Sequence, residues 1–496
     1  MPPSNGKSAA SFPTVAIIGS GFAGLGMAIQ LKKAGFNSFT IFEKASRVGG
    51  TWRDNTYPGA ACDVPSHLYS FSFEPKTNWS RAFPEQPEIL EYIEHCVDKY
   101  GLRPHIHFDT EIENARFEES RGLWRIRTTK GGEFNAHVLV SGCGQLNRPA
   151  FPNIPGLKDF AGVQFHSARW NHDYDLTGKN VAVIGTGASA IQFIPQIAPK
   201  VKKLHVFQRT PPWIIEKPDR PYLGIEKFLF RKVPAIRETY RQFIYWMLES
   251  RFFAFSEGSR IAKTVKKEAR EYLRNSIEDP SLRKALTPDY ELGCKRILIS
   301  NDYYPCFNRS NVELITTGIE RIEKNGVRTQ DGTLREADTI IFGTGFQSTD
   351  FLAPMKITGR NSLDLNEAWR DGAEAYFGIT VSGFPNLFLL YGPNTNLGHN
   401  SIIFMLECQI RYTMECIKKL AQERLAYLDP MPGEMRRYND RLQARHADLV
   451  WNSGCTSWYK NESGKNTNNW PGFTVEYWLK TRKVDFSAYR MEPRTG

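Results

Sequence analysis

The 496-residue sequence predicts an α/β fold in which two domains built on parallel sheets are interleaved and carry a helical insertion. Three observations support this prediction. Two glycine-rich loops, each led by a short apolar strand, indicate two separate strand-turn-helix units. The stretch 223–275 has helical periodicity, and strand patterns resume near residue 296. A chain with this order is expected to return to domains that it has already begun.

The first glycine loop is typical of a dinucleotide-binding turn. The apolar strand Val15–Ile18 leads into Gly-Ser-Gly-Phe-Ala-Gly at residues 19–24, and the next predicted strand, 38–42, ends at Glu43. In such a turn the first glycine makes the bend, the second lets the backbone approach a pyrophosphate, and the third position sets the packing of helix on strand. A carboxylate at the end of the second strand accepts hydrogen bonds from a ribose hydroxyl. Glu43 therefore favours FAD or NAD.

The second loop repeats this arrangement with the opposite charge. The strand Val181–Ile184 leads into Gly-Thr-Gly-Ala-Ser-Ala at residues 185–190, and the strand 204–208 ends at Arg209, followed by Thr210. A guanidinium at this place pairs with a 2′-phosphate, so the second loop favours NADP. An ordinary glycine turn is the alternative for either loop. Two dinucleotides in one chain imply electron transfer between them.

These patterns divide the chain into two interleaved Rossmann-like domains and an insertion. The FAD-binding domain is predicted at 12–148 and 341–496, the NADP-binding domain at 156–220 and 291–340, and the helical insertion at 221–290. Three prolines, Pro149, Pro152 and Pro155, mark the linker between the first two segments.

The helical insertion is rich in aromatic residues between 223 and 257. Core packing or a subunit contact would explain this stripe, and a wall of an apolar substrate pocket is the sharper alternative. The net charge of +11 is spread along the chain except around 260–274, and no nucleic-acid motif accompanies it. We expect a solvated basic surface that attracts NADPH and no nucleic-acid partner, with peripheral membrane contact as a minor alternative.

The composition argues against several other classes of protein. No run of eighteen apolar residues occurs, so no transmembrane segment is expected. Residues 1–12 are polar and small, which predicts no signal peptide and a cytoplasmic location. The eight cysteines show neither CxxC nor metal spacing and are expected to be reduced, mostly structural thiols. No metal site is expected, since His105 and His107 lack partners at ligand spacing.

Three further motifs resemble those of the type I Baeyer-Villiger monooxygenases, a family of class B flavoproteins. The first is Phe160-x-Gly162-x-x-x-His166-x-x-x-Trp170, after which Asn171 departs from the family's Pro or Asp. The second comprises Gly49-Gly50-Thr51-Trp52, Tyr57-Pro58-Gly59 and Asp63. The third comprises Lys295-Arg296, Tyr303-Tyr304 and Asn308-Arg309-x-Asn311-Val312. With both loops, the resemblance covers the chain from residue 14 to about 400.

Beyond that point the resemblance loosens. Ser457-Trp458-Tyr459 is similar to a family stretch whose Trp contacts the nicotinamide nucleotide, but the usual Asn-x-Pro-Gly-Lys is absent. A structural tryptophan is the alternative for Trp458.

The resemblance implies both the reaction and the roles of a few residues. NADPH would reduce FAD, O2 would add to give a C4a-peroxyflavin, and its peroxide anion would attack a ketone carbonyl to yield an ester or lactone. Arg296 would stabilise the peroxide and the developing oxyanion, and Asp63 would orient Arg296. A structural ion pair is the alternative for both. His166 lies in the family's linker and is assigned to coupling or positioning, outside the site.

The residues predicted to bind the two cofactors come from both loops and from these motifs. They are Gly19, Gly21, Phe22, Ala23, Gly24, Glu43, Gly50, Thr51, Trp52, Asp63, Tyr69, Ile112, Gly185, Thr186, Gly187, Ala188, Ser189, Ala190, Arg209, Thr210, Lys295, Arg296 and Trp458.

Three other functions compete with ketone oxygenation. A flavin monooxygenase acting on nitrogen or sulfur would need a protonated hydroperoxide, for which a fixed arginine is less suited. A pyridine-nucleotide disulfide reductase would need a redox cysteine pair, whereas Cys62 stands alone after the first loop. A nucleotide sensor without catalysis would leave the catalytic-type positions without a purpose. The sequence does not choose between linear, cyclic, aromatic and steroidal ketones, nor does it fix selectivity or oligomeric state.

Overall fold

The computed structural model describes residues 12–455 and 457–494. Residues 1–11, on which the prediction of no signal peptide largely rests, lie outside the described residues. None of the helices in the described part of the chain combines the length and the apolar content that a membrane span requires. The cytoplasmic location stays a prediction.

The strands of the described residues are short, and many are fully buried. In chain order they are β1 (Val15–Ile18), β2 (Phe39–Phe42), β3 (Ile106–His107), β4 (Ile112–Glu118), β5 (Leu123–Thr128), β6 (Glu133–Ala136), β7 (Val138–Ser141), β8 (Val163–His166), β9 (Asn180–Ile184), β10 (Lys203–Phe207), β11 (Ile214–Ile215), β12 (Leu298–Ile299), β13 (Val312–Ile315), β14 (Ile319–Glu323), β15 (Gly326–Thr329), β16 (Leu334–Glu336), β17 (Thr339–Phe342), β18 (Lys356–Thr358), β19 (Leu387–Leu389), β20 (Leu425–Pro430) and β21 (Tyr489–Pro493).

The helices cover both sheets and form the insertion. They are α1 (Phe22–Lys33), α2 (Thr51–Asp54), α3 (Gln86–Lys99), α4 (Ala190–Ile197), α5 (Gly224–Lys232), α6 (Pro234–Ser250), α7 (Arg260–Ser276), α8 (Pro280–Ala285), α9 (Tyr303–Cys306), α10 (Leu365–Ala368), α11 (Ile402–Glu423), α12 (Pro432–Arg445) and α13 (Thr474–Thr481).

The first parallel sheet has the strand order β19-β7-β1-β2-β3. Every pair in it is parallel, and β1 and β7 are buried along their whole length, as strands covered by helices on both faces must be. Helix α1 packs against α11, which follows β19 in the chain. The C-terminal part of the chain therefore completes the sheet that the N-terminal part begins.

The second parallel sheet has the order β13-β10-β9-β17-β8. Its strands β8, β9 and β10 precede the insertion and β13 and β17 follow it, so the predicted α/β class with interleaved halves is confirmed. Strand β17 pairs here through Phe342, and the predicted domain boundary at residue 340 falls inside this strand. The strand pattern at 296–299 becomes only β12, which pairs with β11 outside the second sheet.

The insertion consists of helices α5 to α8 and a 3-10 turn, Arg251–Phe255. Its aromatic stripe divides in two: Phe230, Tyr245, Phe252 and Phe255 are buried, whereas Phe243, Trp246 and Phe253 are exposed. No described residue of the insertion lines the main cavity, so the alternative of a pocket wall is not supported.

The cysteines differ from the prediction that all eight are reduced. Cys294 and Cys455 form a disulfide with their Cα atoms 6.3 Å apart, and the other six cysteines are free. The two partners lie 161 residues apart, so local spacing gives no sign of the bond. The disulfide ties the residue before Lys295 to the segment that carries Trp458.

Candidate functional site

The main cavity lies where the two domains meet and has a volume of about 600 Å³. The first domain supplies most of its wall, including the first glycine loop and Asp63, and the second supplies Ala188, Gln192 and Arg296. Such a position between two domains is where dinucleotide sites are commonly found.

The first glycine loop has the close backbone contacts that a dinucleotide turn needs. Gly19 has a φ of +98°, and a Cβ there would lie 2.7 Å from the carbonyl oxygen of Gly142. A Cβ on Gly24 would lie 1.9 Å from the Gly19 carbonyl oxygen, so only glycine lets α1 pack this closely. Gly21 meets nothing closer than the Gly50 Cα at 3.7 Å. The N-terminus of α1 is thus left open toward the cavity, as phosphate binding requires.

Glu43 is buried beside this loop at the end of β2. Its Oε2 accepts hydrogen bonds from the Ser20 amide at 3.0 Å and the Ser20 hydroxyl at 2.6 Å, and its Oε1 accepts one from Arg53 at 2.8 Å. These partners fix the carboxylate at the cavity wall.

A second glycine turn supports the first loop from the other side of the cavity. Gly50 has a φ of +53°, and a Cβ there would lie 3.2 Å from the Gly21 Cα. The indole Nε1 of Trp52 donates to the Tyr69 hydroxyl at 3.1 Å, and burial raises the pKa of Tyr69. Tyr69 is therefore a neutral hydroxyl in the cavity wall.

The second glycine loop has the same backbone geometry as the first. Gly185 has a φ of +104°, and a Cβ there would lie 2.5 Å from the Gly343 carbonyl oxygen. A Cβ on Gly187 would meet only that oxygen, at 3.9 Å, so this side of the loop is open. The Thr186 hydroxyl donates to the Thr210 carbonyl at 3.5 Å.

Two cations lie near each other beyond the end of β10. Arg209 is exposed, Lys295 is half-buried, and neither forms an ion pair within the described residues. Burial lowers the pKa of Lys295, and the charge of Arg209 lowers it further. Asp289 is near enough to act on Lys295 but forms no ion pair with it, and two neighbouring cations that lack ion-pair partners suit an anionic group such as a phosphate.

Arg296 and Asp63 form an ion pair that joins the two domains across the cavity. The Arg296 Nε donates to the Asp63 Oδ2 at 3.1 Å, and an Nη2 hydrogen bond reaches the same oxygen. The carboxylate raises the pKa of Arg296, so the guanidinium keeps its charge. Its side chain is still 32% exposed because it faces the cavity. Within the described residues its Nη1 has no hydrogen-bond partner.

Two tyrosines that were not predicted as site residues, the half-buried Tyr391 and the buried Tyr459, lie near this ion pair. Tyr391 lines the cavity, and its hydroxyl donates to the Asn396 Oδ1 at 2.6 Å. Burial raises the pKa of Tyr391 and of Tyr459, and the charge of Arg296 opposes that rise in both. Both tyrosines are thus neutral neighbours of Arg296. The one signal for Tyr391 in the sequence is that it follows an apolar strand and begins Tyr-Gly-Pro-Asn, a turn delivered by a buried strand.

Gln192 on α4 fastens the two domains together and was also not predicted. Its Oε1 accepts from the Tyr57 hydroxyl at 2.9 Å, and its Nε2 donates to the Ala61 carbonyl at 3.0 Å. A Cβ on Gly59 would lie 2.9 Å from the Gln192 backbone oxygen. The aromatic-Pro-Gly motif therefore packs directly on the second domain.

His166 lies away from the cavity, at the end of the edge strand β8. It is buried, and its Nδ1 accepts from the Ala168 amide at 3.1 Å. Burial lowers its pKa to about 4, so the ring is neutral near pH 7. Trp170 packs on Phe165 and Phe193. The motif thus fixes the edge of the second sheet, consistent with its assignment outside the site.

The structure brings many predicted cofactor residues together, but not all of them. Those that line the cavity are Gly19, Gly21, Phe22, Ala23, Glu43, Gly50, Thr51, Trp52, Asp63, Tyr69, Ile112, Ala188 and Arg296. Those that do not are Gly24, Gly185, Thr186, Gly187, Ser189, Ala190, Arg209, Thr210, Lys295 and Trp458. Trp458 is half-buried beside Tyr459, and its carbonyl accepts from Ser348 and Asn468.

Cys62 is joined at the cavity by a second thiol, Cys143. Both are free, and burial raises the pKa of each, which disfavours the reactive thiolate. The cavity therefore does not contain the disulfide that a dithiol reductase would use. Among the described residues, no cluster of three or more His, Cys, Asp or Glu side chains suits a metal ion.

Comparisons with known proteins identify relatives over nearly the whole chain. Residues 16–226 match the family model described as pyridine nucleotide-disulphide oxidoreductase. A Baeyer-Villiger monooxygenase of Pseudomonas aeruginosa is 47% identical over 479 residues, which cover 96% of this chain and 91% of the relative.

Two similar solved structures have the same fold over their full length. One is an oxidized steroid monooxygenase bound to NADP, with a TM-score of 0.85 and 30% identity over 97% of this chain and 100% of that one. The other is OTEMO in complex with FAD and NADP, with a TM-score of 0.87 and 26% identity over 97% of this chain and 100% of that one.

Proposed function

This chain belongs to the Baeyer-Villiger monooxygenases, and on that premise we propose that Arg296 and Asp63 serve its oxygen insertion. The protein is an FAD-containing, NADPH- and O2-dependent monooxygenase that inserts one oxygen atom next to a ketone carbonyl and gives an ester or lactone. When bound, FAD supplies the oxygen-activating chemistry and NADPH the reducing equivalents. The protein's own residues must bind, orient and shield these groups.

The first glycine loop would hold FAD. The open N-terminus of α1 suits the pyrophosphate, and the fixed Glu43 carboxylate suits a ribose hydroxyl. The close backbone contacts at Gly19 and Gly24 leave no room for side chains there, so α1 can lie tightly against the loop. These observations fit the cofactor that the first loop was predicted to bind.

The second glycine loop would hold NADPH. Arg209 and Lys295 provide two cations for a 2′-phosphate, and the open side of Gly187 provides room for the pyrophosphate. No NADPH contact is proposed for Trp458, whose half-buried ring packs beside Tyr459.

The charge and orientation of Arg296 carry the proposal. Asp63 fixes two of its nitrogen donors and leaves Nη1 free to donate to a negatively charged oxygen. The guanidinium stays protonated throughout the physiological pH range, because the nearby carboxylate raises its pKa. A permanent cation suits the anionic oxygen that attacks a ketone better than the electrophilic oxygen that amines and sulfides require.

The proposed substrate is a small ketone with an apolar body. The wall of the cavity that contains the ion pair also includes Val64, Leu397, Ile402 and Leu406, which favour hydrocarbon over charged groups.

Substituting Arg296 tests the proposal. Arg296→Ala should abolish ester formation from ketones, while anaerobic reduction of the flavin by NADPH proceeds at a rate within about tenfold of wild type. The matched control is Arg445→Ala, since the Arg445–Glu476 pair has similar exposure, 37% and 30%, but lies away from the cavity. Full ketone oxygenation by Arg296→Ala would refute the assigned role.

A further inference from the structure

The insertion carries an unusual share of the exposed apolar side chains. Ten of the fifteen large apolar residues exposed in the described part of the chain lie between 223 and 261. Their concentration on one inserted element is not expected of a surface that faces only water. We call six of them the insertion surface: Ile225, Phe228, Ile236, Phe243, Trp246 and Phe253.

Two packed helices and the 3-10 turn that follows them carry these side chains. On α6, Ile236 and Phe243 are two turns apart and therefore share a face, whereas Ile244 and Leu248 are buried on the opposite face. Helix α5 packs against α6 and exposes Ile225 and Phe228. Three aromatic side chains are more than half exposed, with Phe243 61%, Trp246 56% and Phe253 53% exposed.

Basic residues accompany the insertion surface. Residues 223–263 contain eight Lys and Arg but four Asp and Glu, and one residue of each sign, Arg241 and Glu249, is buried. Arg231 and Lys232 end α5, and neither forms an ion pair within the described residues. Helix α7, which begins with the exposed Arg260 and Lys263, packs against the 3-10 turn that carries Phe253. The surface is therefore both apolar and cationic.

We propose that the insertion surface docks the enzyme on the headgroup region of an anionic lipid membrane. Exposed Trp and Phe side chains enter the boundary between headgroups and acyl chains, while Lys and Arg contact anionic headgroups. A second copy of this chain is a poorer partner, because a symmetric contact would bring two sets of like charges together. The docking is peripheral, since no described helix can span the bilayer.

Vesicle sedimentation of the FAD-loaded full chain tests this surface. Binding is expected to vesicles of mixed phosphatidylglycerol and phosphatidylcholine, to weaken in high salt, and to be at least about tenfold weaker to pure phosphatidylcholine. The variant Phe243→Ser/Trp246→Ser/Phe253→Ser should lose at least about tenfold in affinity for the anionic vesicles. No binding by wild type, or equal binding by this variant, would overturn the proposal.

Two further variants separate the surface from general effects. Leu363→Ser/Leu479→Ser/Met491→Ser removes three exposed apolar residues outside the insertion and should bind vesicles within about twofold of wild type. Arg231→Glu/Lys232→Glu should weaken binding at low salt and have little effect at high salt. NADPH oxidation by each variant verifies folding, because none of these residues lines the cavity.

Sedimentation velocity without lipid examines the competing partner. If wild type forms dimers and the triple serine variant of the insertion surface is monomeric, the surface is a contact between copies and the membrane proposal fails. A single species of unchanged size in both proteins, together with vesicle binding, supports it.

Discussion

The two cations beyond the end of β10 provide the sharpest test of cofactor choice. Arg209 and Lys295 have no carboxylate partner within the described residues, and Arg209 lowers the pKa of Lys295, so the two charges are close. A hydrogen bond to a charged group contributes about 1.5–3 kcal/mol. Because Arg209 is exposed and Lys295 half-buried, we take the lower end, about 1.5 kcal/mol for each side chain.

This magnitude converts to a measurable change in NADPH affinity. Arg209→Ala and Lys295→Ala should each weaken NADPH binding about tenfold, and the double variant by about tenfold to a hundredfold, because neighbouring charges on one phosphate do not contribute independently. The dissociation constants come from the dependence of anaerobic flavin reduction on NADPH concentration. NADH lacks the 2′-phosphate, so its weaker binding should change by less than about twofold in all three variants.

A lysine directly before the same strand supplies the control for general charge effects. Lys202 is exposed at the opposite end of β10, and Lys202→Ala should leave both constants unchanged. Equal losses for NADPH and NADH in Arg209→Ala, or no loss for NADPH, would refute the assignment of this cation pair to the 2′-phosphate.

Three other features also give measurable expectations. Burial lowers the pKa of four histidines to between about 3 and about 4; they are His67, His137, His166 and His446. Because the unfolded chain binds these protons near pH 6.5, the stability of the fold should be fully present at neutral pH and fall from about pH 6.5 toward pH 4. Thermal unfolding across this range measures the effect, and a flat profile would contradict it. Thiol titration of the denatured protein should find six thiols without reductant and eight after reduction, and eight in both would exclude the Cys294–Cys455 disulfide. Gly24→Ala should prevent FAD retention, because its Cβ would lie 1.9 Å from the Gly19 carbonyl oxygen. The control Gly224→Ala, which has open space around it, should retain FAD on purification. The FAD content per chain measures both outcomes.

The sequence predicted the two parallel sheets because several of their strands, such as β1, β7 and β17, are short, buried and mostly apolar. β1 is observed at its predicted bounds, and β9 and β10 are observed within one residue at each end. The antiparallel sheet β14-β15-β16 was not predicted, because its strands are half-exposed and their sequences lack a regular alternation of apolar and charged residues.

A site residue was predictable where its charge and its position after a strand indicate the group that it binds. Glu43 and Arg209 follow from charge at the end of a strand, whereas Arg296 and Asp63 came from family resemblance and were brought together only by the fold. Gln192 and Tyr391 have no such signal, because their roles arise from contacts between segments far apart in the chain. The disulfide was not predicted for the same reason, since its two cysteines are 161 residues apart in the sequence.

The Arg296–Asp63 pair constrains which substitutions the enzyme can accept. Each partner belongs to a different domain, so neither domain alone contains a complete reaction centre. A substitution that weakens the contact of Gln192 with Tyr57 and Ala61 would therefore separate Arg296 from Asp63 and inactivate the enzyme, although both residues are still present. Selection on activity must therefore also preserve the contact between the domains around Gln192, which is under the same constraint as the reacting groups themselves.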